Sequence, residues 1–129
     1  MADIPDYRWN DKRILVVEDD ESSTFFLGEM LKHTGAIIEF RSDGAEAVEY
    51  IREHPDTDLI LMDLHLPVKD GFTASREIKS FATNVKIIAQ TGYAYSVDRD
   101  EAEKAGCDAY LIKPVNQKRL LETLSSFFS

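Results

Sequence analysis

Asp63 closes the apolar run Leu59-Ile60-Leu61-Met62, where a carboxylate is costly unless something answers its charge. Four apolar residues without alternation are too few for an ordinary helix and fit a strand buried on both faces. Leu64-His65-Leu66-Pro67 and Asp70-Gly71 follow as loop signals. A second such run, Ile14-Leu15-Val16-Val17, leads into Glu18-Asp19-Asp20-Glu21. Adjacent carboxylates repel by roughly 1 kcal/mol per close pair in water, and by more where desolvated. Asp20 and Glu21 read as a solvated face. Glu18 and Asp19 abut the strand and read as functional. Two more runs end in polar residues, Val85–Ala89 before Gln90-Thr91-Gly92 and Ala109–Ile112 before Lys113-Pro114.

Carboxylates converging from two strands make an oxygen-only site, which selects a hard cation such as Mg²⁺ over Zn²⁺. Three acids, a lysine and a threonine hydroxyl in one pocket share a natural task. The cation clamps a phosphoryl group, Asp63 attacks phosphorus, and Lys113 with Thr91 neutralises the oxygens in transfer. The metal also keeps Asp63 ionised, because clustered carboxylates raise one another's pKa.

This chemistry requires one sheet edge to carry all five groups. Ser22 or Ser23 is expected to cap a first helix with Leu27, Met30 and Leu31 on one face, and Gly35 to end it. Ala36–Phe40 reads as a more amphipathic strand, nearer a sheet edge. Asp43-Gly44-Ala45-Glu46 has capping-box spacing and opens a second helix, closed by Pro55. A third helix follows Asp70-Gly71, a weak acidic fourth spans Ser96–Ala105, and Asn116 caps an apolar fifth. Five strands alternating with five helices imply a parallel sheet with right-handed crossovers and helices on both faces. All strand ends then point one way, placing Glu18, Asp19, Asp63, Thr91 and Lys113 on one edge.

The bulk numbers bound the setting. At 129 residues, 43% apolar and 30% charged, the chain reads as one globular domain. Residues 1–12 lack periodicity and read as an arm or linker, with Tyr7 and Trp9 laid against the domain, and 13–129 form the domain itself. No apolar run reaches the length of a membrane span, the N-terminus has no signal-peptide pattern, and the single Cys107 rules out an internal disulfide. The expected location is cytoplasmic. A net charge of −9 argues against a nucleic-acid partner.

In their order and spacing, Ile14–Asp20, Leu61–Pro67 with Asp70-Gly71, Ala89–Gly92 and Tyr110–Pro114 closely resemble the receiver domain of bacterial two-component response regulators. The resemblance covers nearly all of residues 13–129. It implies a doubly wound, flavodoxin-like α/β fold with strand order 2-1-3-4-5. It makes Asp63 the phosphoacceptor, charged by a histidine kinase or a histidine phosphotransfer domain. It gives the metal Glu18, Asp19, Asp63 and the backbone carbonyl of His65, with Mg²⁺ as the cation and Mn²⁺ as an alternative. Thr91 and Lys113 would contact the phosphoryl oxygens, Tyr110 would be the switch aromatic, and Lys113-Pro114 a cis bond. His65 and Tyr93 stand where family members tune the phosphoryl lifetime, and their bulk implies slow self-dephosphorylation.

The expected function is therefore phosphorelay signalling. The output would be a protein surface around the fourth helix, fifth strand and fifth helix, read by a downstream protein target. The chain would be a monomer or weak dimer with no membrane contact, either stand-alone or part of a hybrid histidine kinase. It would catalyse only its own phosphorylation and autodephosphorylation. An aspartyl-phosphate hydrolase is a rival reading, but it needs a second Asp where His65 stands. A receiver-like module that no longer phosphorylates is another, disfavoured because all five positions are kept.

Overall fold

In the computed structural model, which describes residues 6–92 and 96–128, five parallel strands form one sheet in the order β2-β1-β3-β4-β5. The strands are β1 (Arg13–Val17), β2 (Ile37–Arg41), β3 (Leu59–Asp63), β4 (Lys86–Thr91) and β5 (Ala109–Ile112). Between and after them run α1 (Glu21–Leu31), α2 (Gly44–Glu53), α3 (Gly71–Phe81), α4 (Ser96–Lys104) and α5 (Gln117–Ser125). Residues 1–5 of the expected arm and Tyr93 lie outside the described residues. No helix among the described residues is long and apolar enough to cross a membrane.

The central strand β3 is buried at all five positions, as its unbroken apolar run requires. One face of the sheet packs Leu15, Val17, Ile60, Met62 and Ile87 against Val48, Ile51, Ala74 and Ile78 of α2 and α3. The other packs Ile14, Val16, Leu61 and Ile88 against Leu27 and Leu31 of α1 and Leu120, Leu121 and Leu124 of α5. The fourth helix sits over a smaller cluster, Leu64, Ala89 and Ala102. Trp9 is buried in the α1/α5 face. Its backbone N–H donates to the Thr34 carbonyl at 2.7 Å, and its ring meets Phe128 edge-on at 4.9 Å.

Several local details differ from the expectations. Asp20, not Ser22 or Ser23, caps α1, accepting from the Ser23 N–H at 2.8 Å. The chain leaves α1 through a 3-10 turn, Lys32–Thr34, and Gly35 then takes the left-handed conformation (φ 79°). At α2, Asp43 accepts from the Glu46 N–H, but Glu46 reaches back to the Ser42 N–H, one residue before the cap. Strand β4 continues through Gln90 and Thr91, because β3 and β5 both pair with Gln90 and β5 pairs with Thr91.

Candidate functional site

The sheet's carboxyl edge collects the expected groups. Asp63 is the last residue of β3, Glu18 and Asp19 follow β1 directly, Thr91 ends β4, and Lys113 follows β5. Carboxylate oxygens of Glu18, Asp19 and Asp63 lie within 4.8 Å of one another. Glu18 and Asp63 are buried and Asp19 is exposed. The Lys113 ammonium reaches into the cluster, donating to Glu18 Oε1 at 2.5 Å and to Asp63 Oδ2 at 3.1 Å. The Lys113 N–H donates to the Thr91 carbonyl at 2.7 Å, and the following Lys113-Pro114 peptide is cis.

Backbone donors complete the frame. The His65 N–H donates to Asp63 Oδ1 at 3.0 Å, and the Asp20 N–H to Glu18 Oε2 at 3.2 Å. Beyond Asp63, the Leu64 N–H bonds the Gln90 carbonyl and the Gly71 N–H bonds the Leu64 carbonyl, both at 3.0 Å. This fold-back needs glycine at 71, since a Cβ there would stand 2.2 Å from the Asp63 carbonyl oxygen.

Electrostatics follow from this crowding. Burial, with the neighbouring Asp63 charge, raises the Glu18 pKa above its ordinary 4.5 despite the bond from Lys113. Burial works against the Lys113 ammonium, but its bonds to Glu18 and Asp63 prevail and hold its pKa above 10.5. The cluster is thus an all-oxygen donor set with one internal cation. Its chemistry fits a hard divalent ion, which needs several carboxylate oxygens converging at one place. Thr91 is fully buried beside it.

A response regulator receiver domain model matches residues 14–125, nearly the whole chain. The chain belongs to the response regulator receiver family. Among curated relatives, the chemotaxis protein CheY of Halobacterium salinarum is 35% identical over 114 residues, 88% of this chain and 94% of that one. Among solved structures, the receiver domain of sensor histidine kinase PA1611 from Pseudomonas aeruginosa is 36% identical with a TM-score of 0.84. The match covers 92% of this chain and 98% of that one, which holds magnesium in its active site cleft. CheY from Borrelia burgdorferi, in a CheX–CheY–BeF3–Mg complex, matches at 25% identity and a TM-score of 0.86, over 92% and 90% of the chains. This receiver shares its fold with these relatives, and the carboxylates of Glu18, Asp19 and Asp63 are grouped closely enough to hold a metal ion.

Of the remaining expected residues, Tyr110 and His65 are among those described, and Tyr93 is not. Tyr110 pairs with Ala89 in the sheet, and the Arg99 guanidinium lies 5.1 Å from its ring centre. The His65 ring is exposed, its Nε2 lying 3.3 Å from Asp98 Oδ2 on α4. Two residues escaped the sequence reading. Asp98 was one acid among several in a weak helix, with no local pattern linking it to His65. Gln90 is buried, and neither end of its side-chain amide has a hydrogen-bond partner. Its place inside a strand was the signal for it.

Proposed function

We propose that this receiver takes a phosphoryl group onto Asp63 from the phosphohistidine of a histidine kinase or a histidine phosphotransfer domain. The convergence of Glu18, Asp19 and Asp63 with Lys113 carries this reading. Glu18, Asp19, Asp63 and the His65 carbonyl would hold Mg²⁺, directly or through bound water. The ion would supply charge neutralisation for the transferring group. The magnesium in the cleft of the Pseudomonas receiver supports that choice of ion.

An Asp63 carboxylate oxygen forms a bond to phosphorus as the donor's P–N bond breaks, and the departing imidazole keeps the electron pair and gains a proton. The His65 N–H fixes the Asp63 carboxylate for attack, since it bonds Oδ1 while Lys113 bonds Oδ2. Lys113 then turns from carboxylate to phosphoryl oxygens, with the Thr91 hydroxyl as second donor. The product carries about −2 charge and three acceptor oxygens where one carboxylate stood.

Thr91 and Lys113 draw toward that charge, Tyr110 follows, and the surface of α4, β5 and α5 changes. Among the described side chains, α4 gives only Ala102 to the buried core, which suits a helix that shifts. The output is a protein–protein contact, as the CheX complex of the Borrelia relative illustrates for that protein. The receiver acts on no other substrate, and His65 with Tyr93 sets the lifetime of its phosphoryl group. Residues 13–129 form this unit, preceded by the arm 1–12, and it works in the cytoplasm.

Intact mass after incubation with acetyl phosphate tests the reading. One phosphoryl group should appear with Mg²⁺ and be missing in EDTA and in Asp63→Asn. An unchanged mass under all conditions would leave only the non-phosphorylating module.

A further inference from the structure

We infer that Asp98, on the first turn of α4, is a positioning residue of the acceptor site that acts through the His65 imidazole. The inference rests on the reading of Asp63 as phosphoacceptor.

The segment leaving β3 is fastened unevenly. Leu64 is fully buried and bonded on both sides of its backbone, and Leu66 is buried. His65, between them, turns its ring outward, with 42% of the side chain exposed. Its backbone nevertheless has the most demanding task in the loop, since its N–H orients Asp63 Oδ1 at 3.0 Å. In the proposed function its carbonyl would also help to hold the metal. The ring is held by Asp98 Oδ2, 3.3 Å from Nε2, with Phe72 edge-on at 6.2 Å.

Asp98 is the more protected partner, its side chain 18% exposed. The adjacent residue of the same helical turn, Arg99, lies over the Tyr110 ring at 5.1 Å. One turn of α4 thus touches the acceptor loop on one side and the switch aromatic on the other. Among the described side chains of α4 only Ala102 is in the core, and these polar contacts add to that packing. Loss of the Asp98 contact removes one restraint on the His65 ring, and through it on the backbone that orients the Asp63 carboxylate. By reciprocity, a displacement of α4 is felt at Asp63.

The test uses the full chain as wild type, Asp98→Ala, Asp98→Asn, His65→Ala and the Asp98→Ala/His65→Ala double variant. Two quantities are read: the Mg²⁺ dissociation constant by calorimetry, and the rate of Mg²⁺-dependent phosphorylation by acetyl phosphate. A half-exposed polar contact of this kind predicts about a two- to fivefold loss in both for Asp98→Ala. Asp98→Asn should recover most of it, because its amide oxygen still accepts from Nε2–H. Asp98→Ala should cost nothing further once His65 is alanine, and the thermal midpoint should stay near wild type.

Unchanged constants in Asp98→Ala, or the same loss in the His65→Ala background, would overturn the inference. A wild type that binds Mg²⁺ but takes no phosphoryl group would sink the phosphoacceptor reading instead. The Mg²⁺ constants would still decide the role of Asp98.

Discussion

Replacing Lys113 by methionine removes the ammonium that stands 2.5 Å from Glu18 Oε1 and 3.1 Å from Asp63 Oδ2. The side chains of Glu18 and Asp63 are 1% and 8% exposed and that of Lys113 is 25% exposed. Removing one member of a fully buried pair costs about 3–5 kcal/mol, whereas a surface pair is worth at most about 1 kcal/mol. A lysine one-quarter in solvent falls between, so Lys113→Met should lose about 2 kcal/mol at pH 7 in EDTA. Mg²⁺ supplies a counter-charge to the same carboxylates and should recover much of that loss. Wild type gains about 2.7 kcal/mol when Mg²⁺ is a hundredfold above its dissociation constant. The variant should gain more than wild type at the same concentration, because its site starts with two buried carboxylates and no cation. Urea unfolding of both proteins, with EDTA and with excess Mg²⁺, reads both numbers. A deficit below about 0.5 kcal/mol in EDTA, or one of equal size with and without Mg²⁺, would refute the assignment of Lys113 as the site's internal counter-ion.

Other consequences are as direct. The raised Glu18 pKa means that Mg²⁺ must displace a proton while the pH is still above 4.5. Mg²⁺ affinity should therefore weaken on acidification before that pH is reached, and titrations between pH 8 and 5 should show it in wild type but less in Glu18→Gln. With its pKa raised above 10.5, Lys113 stabilises the fold below that pH, and the contribution is lost as the pH rises through the folded-state value. Gln90→Met removes a buried amide with no partner at either end and should stabilise the protein by about 1 kcal/mol. That gain corresponds to about 4 °C in the calorimetric midpoint, and a fall would show that the amide is bonded. Trp9→Ala should cost about 3 kcal/mol in urea unfolding, because the indole is 5% exposed in the α1/α5 face. A negligible cost would mean that the arm is not part of the core.

The architecture and the acidic edge were legible for a simple reason. Buried parallel strands announce themselves as unbroken apolar runs, and right-handed connections leave no choice about which ends share an edge. Glu18, Asp63 and Lys113 could thus be brought together before any distance was known. Features whose cause is not local leave no such mark in the sequence. Asp20 looked like one more solvated acid in a run of four, and only the backbone path into α1 reveals it as the cap. Gln90 looked like the end of β4, yet parallel neighbours carry the ladder past a polar side chain. Trp9 gains its burial from Phe128 at the far end of the chain. The His65–Asp98 contact joins residues 33 positions apart on a loop and a helix, with no periodicity linking them.

Phosphorylation of Asp63 can be located directly. Borohydride reduces an acyl phosphate of aspartate to homoserine, so the mark can be located after Mg²⁺-dependent phosphorylation, reduction, digestion and peptide sequencing by mass spectrometry. Homoserine is expected at position 63 alone, with none when Mg²⁺ is withheld. Homoserine at Asp19 or another aspartate, with Asp63 intact, would contradict the assignment of Asp63 as phosphoacceptor.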